Sequence, residues 1–163
     1  MPATAWPAID DARRADTAAR LPFHIQDGGR PRAAGSVARA HLPALARWQP
    51  VLRVDDHGLT LHCPAADRVA LLAEINEQLL ANGLVVGWRD EIYAMPALDD
   101  GHLLATVERA ASRFWGTLTC GAHCNGYVAG ADGRPSHLWI ARRAFTKPTD
   151  PGLLDNLVGG GVP

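Results

Sequence analysis

Lysine is almost absent from this 163-residue sequence: of its 16 basic residues, all but Lys147 are Arg. Such a bias follows genome composition, so the lone Lys carries meaning only if its neighbours agree. Net charge is equally scarce. The 16 basic residues face 17 acidic ones, a formal −1, whereas a whole-chain nucleic-acid binder carries a strong basic excess. No apolar run approaches the ~18 residues of a membrane span. Arg13, Arg14 and Arg20 are followed by no apolar stretch of the kind a secretory signal needs. Neither nucleic acid nor membrane is expected as a partner. Cysteine is limited to Cys63, Cys120 and Cys124, an odd number without framework spacing, which suits free thiols in a reducing cytoplasm. What the chain does have is apolar content. At 47% it suffices for one ordinary domain, or for a small one plus a piece of another, and argues against wholesale disorder.

Residues 1–20, rich in Ala, Arg and Asp, read as a loose helix or a mobile arm. The apolar run 21–25 ends at the turn signal Asp27-Gly28-Gly29. A strand over 33–39 and a short helix over 41–48 follow, stopped by Pro50. Residues 51–54 and 59–62 flank Asp55-Asp56-His57-Gly58 as a hairpin. The strongest helix spans 67–82, with Asp67 as N-cap, Val69, Leu72, Ile75 and Leu79 inward, and Asn82-Gly83 as its stop. Glu74 and Glu77 fall on its solvated face. A second helix is predicted over 101–114, capped by Asp99 or Asp100, with Leu104, Val107, Ala111 and Phe114 inward. Two long strands, 117–128 and 137–145, are then joined by a turn-rich loop, and 153–158 is apolar enough for a third.

Three groups of residues could carry chemistry. Cys120-Gly-Ala-His123-Cys124 reads as a strand, and alternation puts both Cys on one face and His123 on the other. Packing is the favoured role for the two thiols, with a metal or nucleophilic role as the alternative. Arg142, Arg143 and Lys147 sit where a strand runs into a loop. Arg as a planar fork and Lys as a point charge suit anionic oxygens there, although a solvated strand end explains them too. Trp139 reads as core rather than a stacking platform. Asn125-Gly126 reads equally well as a bulge or a contact.

The stretch Trp139-Ile-Ala-Arg-Arg143-Ala-Phe-Thr-Lys147-Pro-Thr-Asp-Pro151-Gly152-Leu-Leu-Asp155-Asn-Leu-Val-Gly-Gly160 resembles the entry into a Nudix hydrolase domain. It is also similar to the matching stretch of isopentenyl diphosphate isomerase, a relative on the same fold. There the second Arg and the Lys four residues later hold a substrate diphosphate, which implies that role for Arg143 and Lys147. Gly87-Trp88-Arg89-Asp90-Glu91, Glu108-Arg109-Ala110-Ala111-Ser112-Arg113-Phe114 and Gly121-Ala-His123-Cys-Asn125-Gly126-Tyr127-Val128 resemble one subfamily. In it an extra N-terminal domain precedes the Nudix domain, and its members are often labelled thiamine-diphosphokinase-like. Members usually carry an aromatic and an aliphatic residue where Cys120 and Cys124 stand, which supports packing for both.

The resemblance implies an α+β fold with three parts: an arm over 1–20, a small α+β domain over 21–115, and the first strands of a Nudix α/β/α sandwich over 116–163. It implies hydrolysis of a diphosphate bond in a small organic diphosphate, either a thiamine diphosphate analogue or a nucleoside diphosphate derivative. Arg143 and Lys147 would hold the phosphates, and Asn125 and His123 would face the organic part. The complete family member uses Mg²⁺ bound by Glu residues of a catalytic box. No Glu follows Glu108 here, leaving only Asp132, Asp150 and Asp155, so the expectation is a chain that stops just before the box and does not catalyse alone. The alternative is a non-catalytic ligand-binding or interaction module derived from this family. A third reading, a thiol enzyme using Cys120 or Cys124 with His123, requires a depressed thiol pKa. Strands without covering helices would leave Leu153, Leu154, Leu157 and Val158 at an exposed edge, so homodimerisation or marginal solubility is expected.

Overall fold

The computed structural model describes residues 14, 16–147 and 150–162. The arm expected over 1–20 lies mostly outside them. Within them, Thr17–Ala19 makes one turn and β1 starts at Arg20.

Strand β1 (Arg20–Asp27) alternates Leu21, Phe23 and Ile25 inward, as a strand with one buried face must. It folds back on β2 (Arg30–Ala38) through Gly28 and Gly29, both at positive φ, the backbone such two-residue hairpin turns need. The short helix α1 (Leu42–Leu45) precedes a hairpin of β3 (Leu52–Asp55) and β4 (Gly58–Leu61). Strand β4 pairs with β1 in parallel, giving a sheet of order β2-β1-β4-β3.

Helix α2 (Ala65–Ala81) turns Leu72, Ile75 and Leu79, all fully buried, into the core and ends at Asn82 with Gly83 at positive φ. Two details differ from the sequence expectation. The cap position is Pro64, so Asp67 lies in the first turn instead. Val69 is exposed and its neighbour Arg68 is buried. The Arg68 guanidinium reaches across to donate to the Leu104 carbonyl at 2.6 Å, the Gln26 carbonyl at 3.1 Å and Asp27 at 3.1 Å. A long cation that satisfies two backbone carbonyls and a carboxylate can occupy an inward position that hydrophobicity would assign to Val69.

The helix expected over 101–114 is a strand followed by a short helix. Strand β5 (Ile92–Pro96) pairs with β6 (Leu103–Glu108), and only then does α3 (Arg109–Trp115) begin. Leu104 and Val107 are buried as expected, but on a strand packed under α2. Asp99 and Asp100 cap no helix. They receive the buried Arg32 guanidinium from β2 and close the β5–β6 turn. Trp115, the largest fully buried side chain, lies 4.7 Å from Phe23 between ring centroids, and its indole N–H donates to Asn76 at 2.8 Å. Every buried side chain among the described residues lies between Leu21 and Thr117.

Beyond Gly116 the chain forms paired ribbons. The two long strands expected here are each broken: 117–128 into β7 (Cys120–Cys124) and β8 (Tyr127–Ala129), and 137–145 into β9 (Pro135–Leu138) and β10 (Ala141–Arg142). The returning segment gives β11 (Leu154–Asp155) and β12 (Val158–Val162). Strand β8 pairs with β9, β10 with β11, and β12 with β7, all antiparallel. Three bent segments thus pair with one another in a ring, and each bends where it changes partner. The bends meet at Asn125-Gly126, Trp139 and Asn156-Leu157: Trp139 N–H donates to the Gly126 carbonyl at 2.9 Å, and Asn156 donates to Asn125 at 3.0 Å. A Cβ on Gly126 would strike Leu157 and Trp139. Trp139 is therefore not core; it is 60% exposed. Cys120 and Cys124 are exposed rather than packed, because β7 pairs only with β12 and little covers its face. The edge residues Leu153, Leu154, Leu157 and Val158 are all exposed, as expected.

Candidate functional site

Strands β7 and β12 make an unusually bare surface. In register, Gly159 opposes His123, Gly160 opposes Ala122 and Gly161 opposes Gly121. The His123 ring lies across Gly159, where a Cβ would come within 2.9 Å of Nδ1. With Gly121 and Gly161 on the same face, the ribbon offers backbone and one imidazole, and the Tyr93 hydroxyl packs directly against Gly161.

Cations surround this surface. A cavity of about 320 Å³ is lined by Gly121, His123 and 159–161, and by Arg89, Arg109, Arg143 and Lys147, with Asp155 as its single carboxylate. The structure thus brings together Arg143, Lys147 and His123, three of the four site residues expected from sequence. The fourth, Asn125, lies at the ribbon junction bonded to Asn156 and does not line the cavity. Arg142, next to Arg143 but on the opposite face, donates to the Gly152 carbonyl at 2.9 Å.

Each cation is held differently. Arg143 donates to Asp155 and, at 3.1 Å, to the Asp150 carbonyl, so its guanidinium is fixed at the cavity wall. The same contact, helped by the Asn156 N–H, holds the Asp155 carboxyl below its usual range. Lys147 is exposed, with its backbone N–H on the Ala144 carbonyl. Arg109 leaves the first turn of α3, pairs with Glu91 and lies over the Tyr93 ring at 5.4 Å. Its charged form is favoured chiefly by the Glu91 contact.

Arg89 and Arg109 were not picked out from the sequence as site residues, although both sit in motifs that carried the family resemblance. Their link is Glu108. Its buried carboxylate accepts from the Arg89, Glu91 and Ala110 N–H groups, each at 3.1 Å, capping α3 and gripping the 89–91 loop at once. Gly87 and Asp90, both at positive φ, shape that loop, and the Trp88 indole closes on Asp90 at 2.9 Å.

Such a set can bind anionic oxygens: four cations, of which Arg109 and Arg143 are held by carboxylates, line one cavity over a glycine floor. It does not fit a divalent metal. Among the described residues no three His, Cys, Asp or Glu side chains converge, and Asp155 is committed to Arg143. The thiol reading fares no better, since neither Cys120 nor Cys124 lines this cavity beside His123.

Residues 7–119 match the family described as "Domain of unknown function (DUF4743)". Among curated proteins the chain is similar to Nudix hydrolase 20, chloroplastic, of Arabidopsis thaliana, 38% identical over 97 residues, 60% of this chain and 25% of that protein. Nudix hydrolase 24, chloroplastic, of the same plant is 36% identical over 97 residues, covering 60% and 26%. An uncharacterized protein of Saccharomyces cerevisiae is 41% identical over 78 residues, covering 48% and 22%. The match thus spans about a quarter of the length of these relatives. With most of its ordered core inside the matched region, the chain belongs to the DUF4743 family and is related to Nudix hydrolases.

Proposed function

We propose that this chain holds the diphosphate group of a small organic diphosphate, as part of a Nudix-family hydrolase of the thiamine-diphosphokinase-like kind. Residues 116–163 would be the opening strands of the Nudix sandwich, and 21–115 the added α+β domain. The observation that carries the reading is the convergence of Arg143 and Lys147 with His123 over the glycine ribbon. Two cations on one wall match two phosphate groups. The organic part would be a thiamine diphosphate analogue or a nucleoside diphosphate derivative. Hydrolysis in the complete family member would draw on Mg²⁺, whose Glu ligands are not among this chain's residues.

The shortage of carboxylates favours a second element of the reading: alone, this chain binds without turning over. Calorimetric titration with pyrophosphate, paired with a phosphate-release assay on organic diphosphates in Mg²⁺, tests both. The expected result is saturable binding that Lys147→Ala weakens about tenfold, with no phosphate released. Absence of pyrophosphate binding would overturn the diphosphate reading, and turnover by the 163-residue chain would overturn the non-catalytic one.

A further inference from the structure

A second, larger cavity adjoins the first. It measures about 970 Å³ and lies between α3, the 84–89 loop and the start of β7. Arg89, Arg109 and Gly161 line both cavities, so the two share a wall. Its size is in the ~300–1,000 Å³ range of small-molecule sites. Its charged lining is of one sign: Arg20, Arg89, Arg109 and Arg113 contribute, and no Asp or Glu does.

Three lining residues leave buried polar atoms without a hydrogen-bond partner among the described residues: Tyr93 Oη, Thr117 Oγ1 and His41 Nδ1. Tyr93 and Thr117 are both more than nine-tenths buried. Buried polar groups are normally paired, so three orphans around one cavity need an explanation. All three residues line the cavity, with Tyr93 Oη packed against Gly161, so hydroxyl, amide or ring nitrogen atoms of a bound molecule are the partners this lining calls for. Apolar surface is available beside them from Val85, Val86 and Phe114, the last stacked on His41 at 5.2 Å.

We propose that residues of the N-terminal α+β unit form half of a single ligand site. Arg89 and Arg109 grip the diphosphate opposite Arg143 and Lys147, and the larger cavity takes the ligand's organic group, one that carries hydrogen-bonding atoms and no positive charge. The proposal rests on the diphosphate reading above and selects within it. Glu91 already neutralises Arg109, and the other three arginines of the lining, Arg20, Arg89 and Arg113, have no carboxylate partner among the described residues, so they repel a cationic head group and tolerate a neutral or anionic one. Arg89 is the informative cation, because its side chain has no hydrogen-bond or ion-pair partner among the described residues, and Arg89→Ala keeps the backbone N–H that Glu108 accepts.

Three probes separate the parts: pyrophosphate, adenosine diphosphate with its neutral head, and thiamine diphosphate with its cationic thiazolium. Arg89→Ala is expected to weaken pyrophosphate binding about tenfold, like Lys147→Ala. Cys120 lines the larger cavity and Cys124 lines neither, so thiol alkylation reports occupancy with an internal reference. Adenosine diphosphate should slow alkylation of Cys120 and leave Cys124 unchanged, while pyrophosphate slows neither. Thiamine diphosphate should bind no tighter than pyrophosphate. If Lys147→Ala weakens pyrophosphate but Arg89→Ala does not, the diphosphate reading stands and this proposal falls. Unprotected Cys120 at saturating adenosine diphosphate, or tighter binding of thiamine diphosphate than of adenosine diphosphate, also overturns it. Failure of pyrophosphate to bind the wild-type chain removes both.

Discussion

The Glu108 carboxylate accepts from three backbone N–H groups on two segments, and through them it sets where Arg89 and Arg109 stand. Removing it leaves three donors unsatisfied in a site that is 5% exposed. Glu108→Ala is therefore expected to cost about 2 kcal/mol or more of stability, measured by denaturant unfolding. It should also weaken pyrophosphate binding, whereas Glu108→Gln, which keeps one of the two accepting oxygens, should lose less of both. Asp99, Asp100 and Asp155 share another residue-scale property. Arg32 holds Asp99 below its usual range, the His102 N–H and Arg32 do so for Asp100, and Arg143 does so for Asp155. A carboxylate with a folded pKa below its unfolded one contributes stability that is complete above the unfolded value. That stability is lost as pH falls through the folded one. The midpoint of thermal unfolding should thus stay level from about pH 7 to 5 and drop below about pH 4. Arg32→Gln should make that acid drop smaller; an unchanged drop would show that these pairs do not contribute.

Among the elements, α2, the turn at Gly28-Gly29 and the β3–β4 hairpin are legible because local signals agree: Gly28-Gly29 after an apolar run, Leu72, Ile75 and Leu79 at helical spacing, and Gly83 as a stop. The 101–114 segment imitates a single helix for a definite reason. Leu104, Val107, Ala111 and Phe114 recur at helical spacing, yet Leu104 and Val107 are buried by β5 and α2, and the helix starts only at Arg109. Spacing over a strand that leads straight into a helix imitates one longer helix. The same blindness hid Arg68, whose partners lie 36 to 42 residues away in sequence. Trp115, at the end of α3, ties these elements together by packing on Phe23 and bonding Asn76 on α2. Trp115→Ala is expected to destabilise by about 3–5 kcal/mol. Trp115→Phe should cost less, leaving mainly the unpaired Asn76 amide. Denaturant midpoints for the two variants check the order.

At the scale of the whole molecule, the ordered core and the glycine ribbon differ in kind. Leu138, Trp139, Ile140, Phe145, Leu153, Leu154 and Val158 are all more than half exposed, a larger apolar display than a soluble monomer usually carries. Self-association that strengthens with concentration is expected in sedimentation velocity, and Leu154→Glu should reduce it. Half of the candidate site was legible from one short stretch, since Arg143 and Lys147 lie four residues apart. The other half was not, because Arg89 and Arg109 reach the cavity only once Glu108 has folded the 89–91 loop onto α3. No spacing rule links position 89 to position 147. Nor could a strand pattern show that Asn125 would turn to Asn156 at the ribbon junction.

The claim on which the rest depends is that one cationic cavity, built from both ends of the chain, receives a diphosphate. Nuclear magnetic resonance of the labelled chain during a pyrophosphate titration tests it most directly, by following backbone amides together with Arg side-chain Nε–H signals. The account predicts saturable shifts concentrated on Arg89, Arg109, Gly121, His123, Arg143, Lys147 and 159–161, with Arg30, Arg47 and Arg53 on other surfaces unmoved. Shifts spread evenly over all the arginines, or confined to residues away from the cavity, would contradict it.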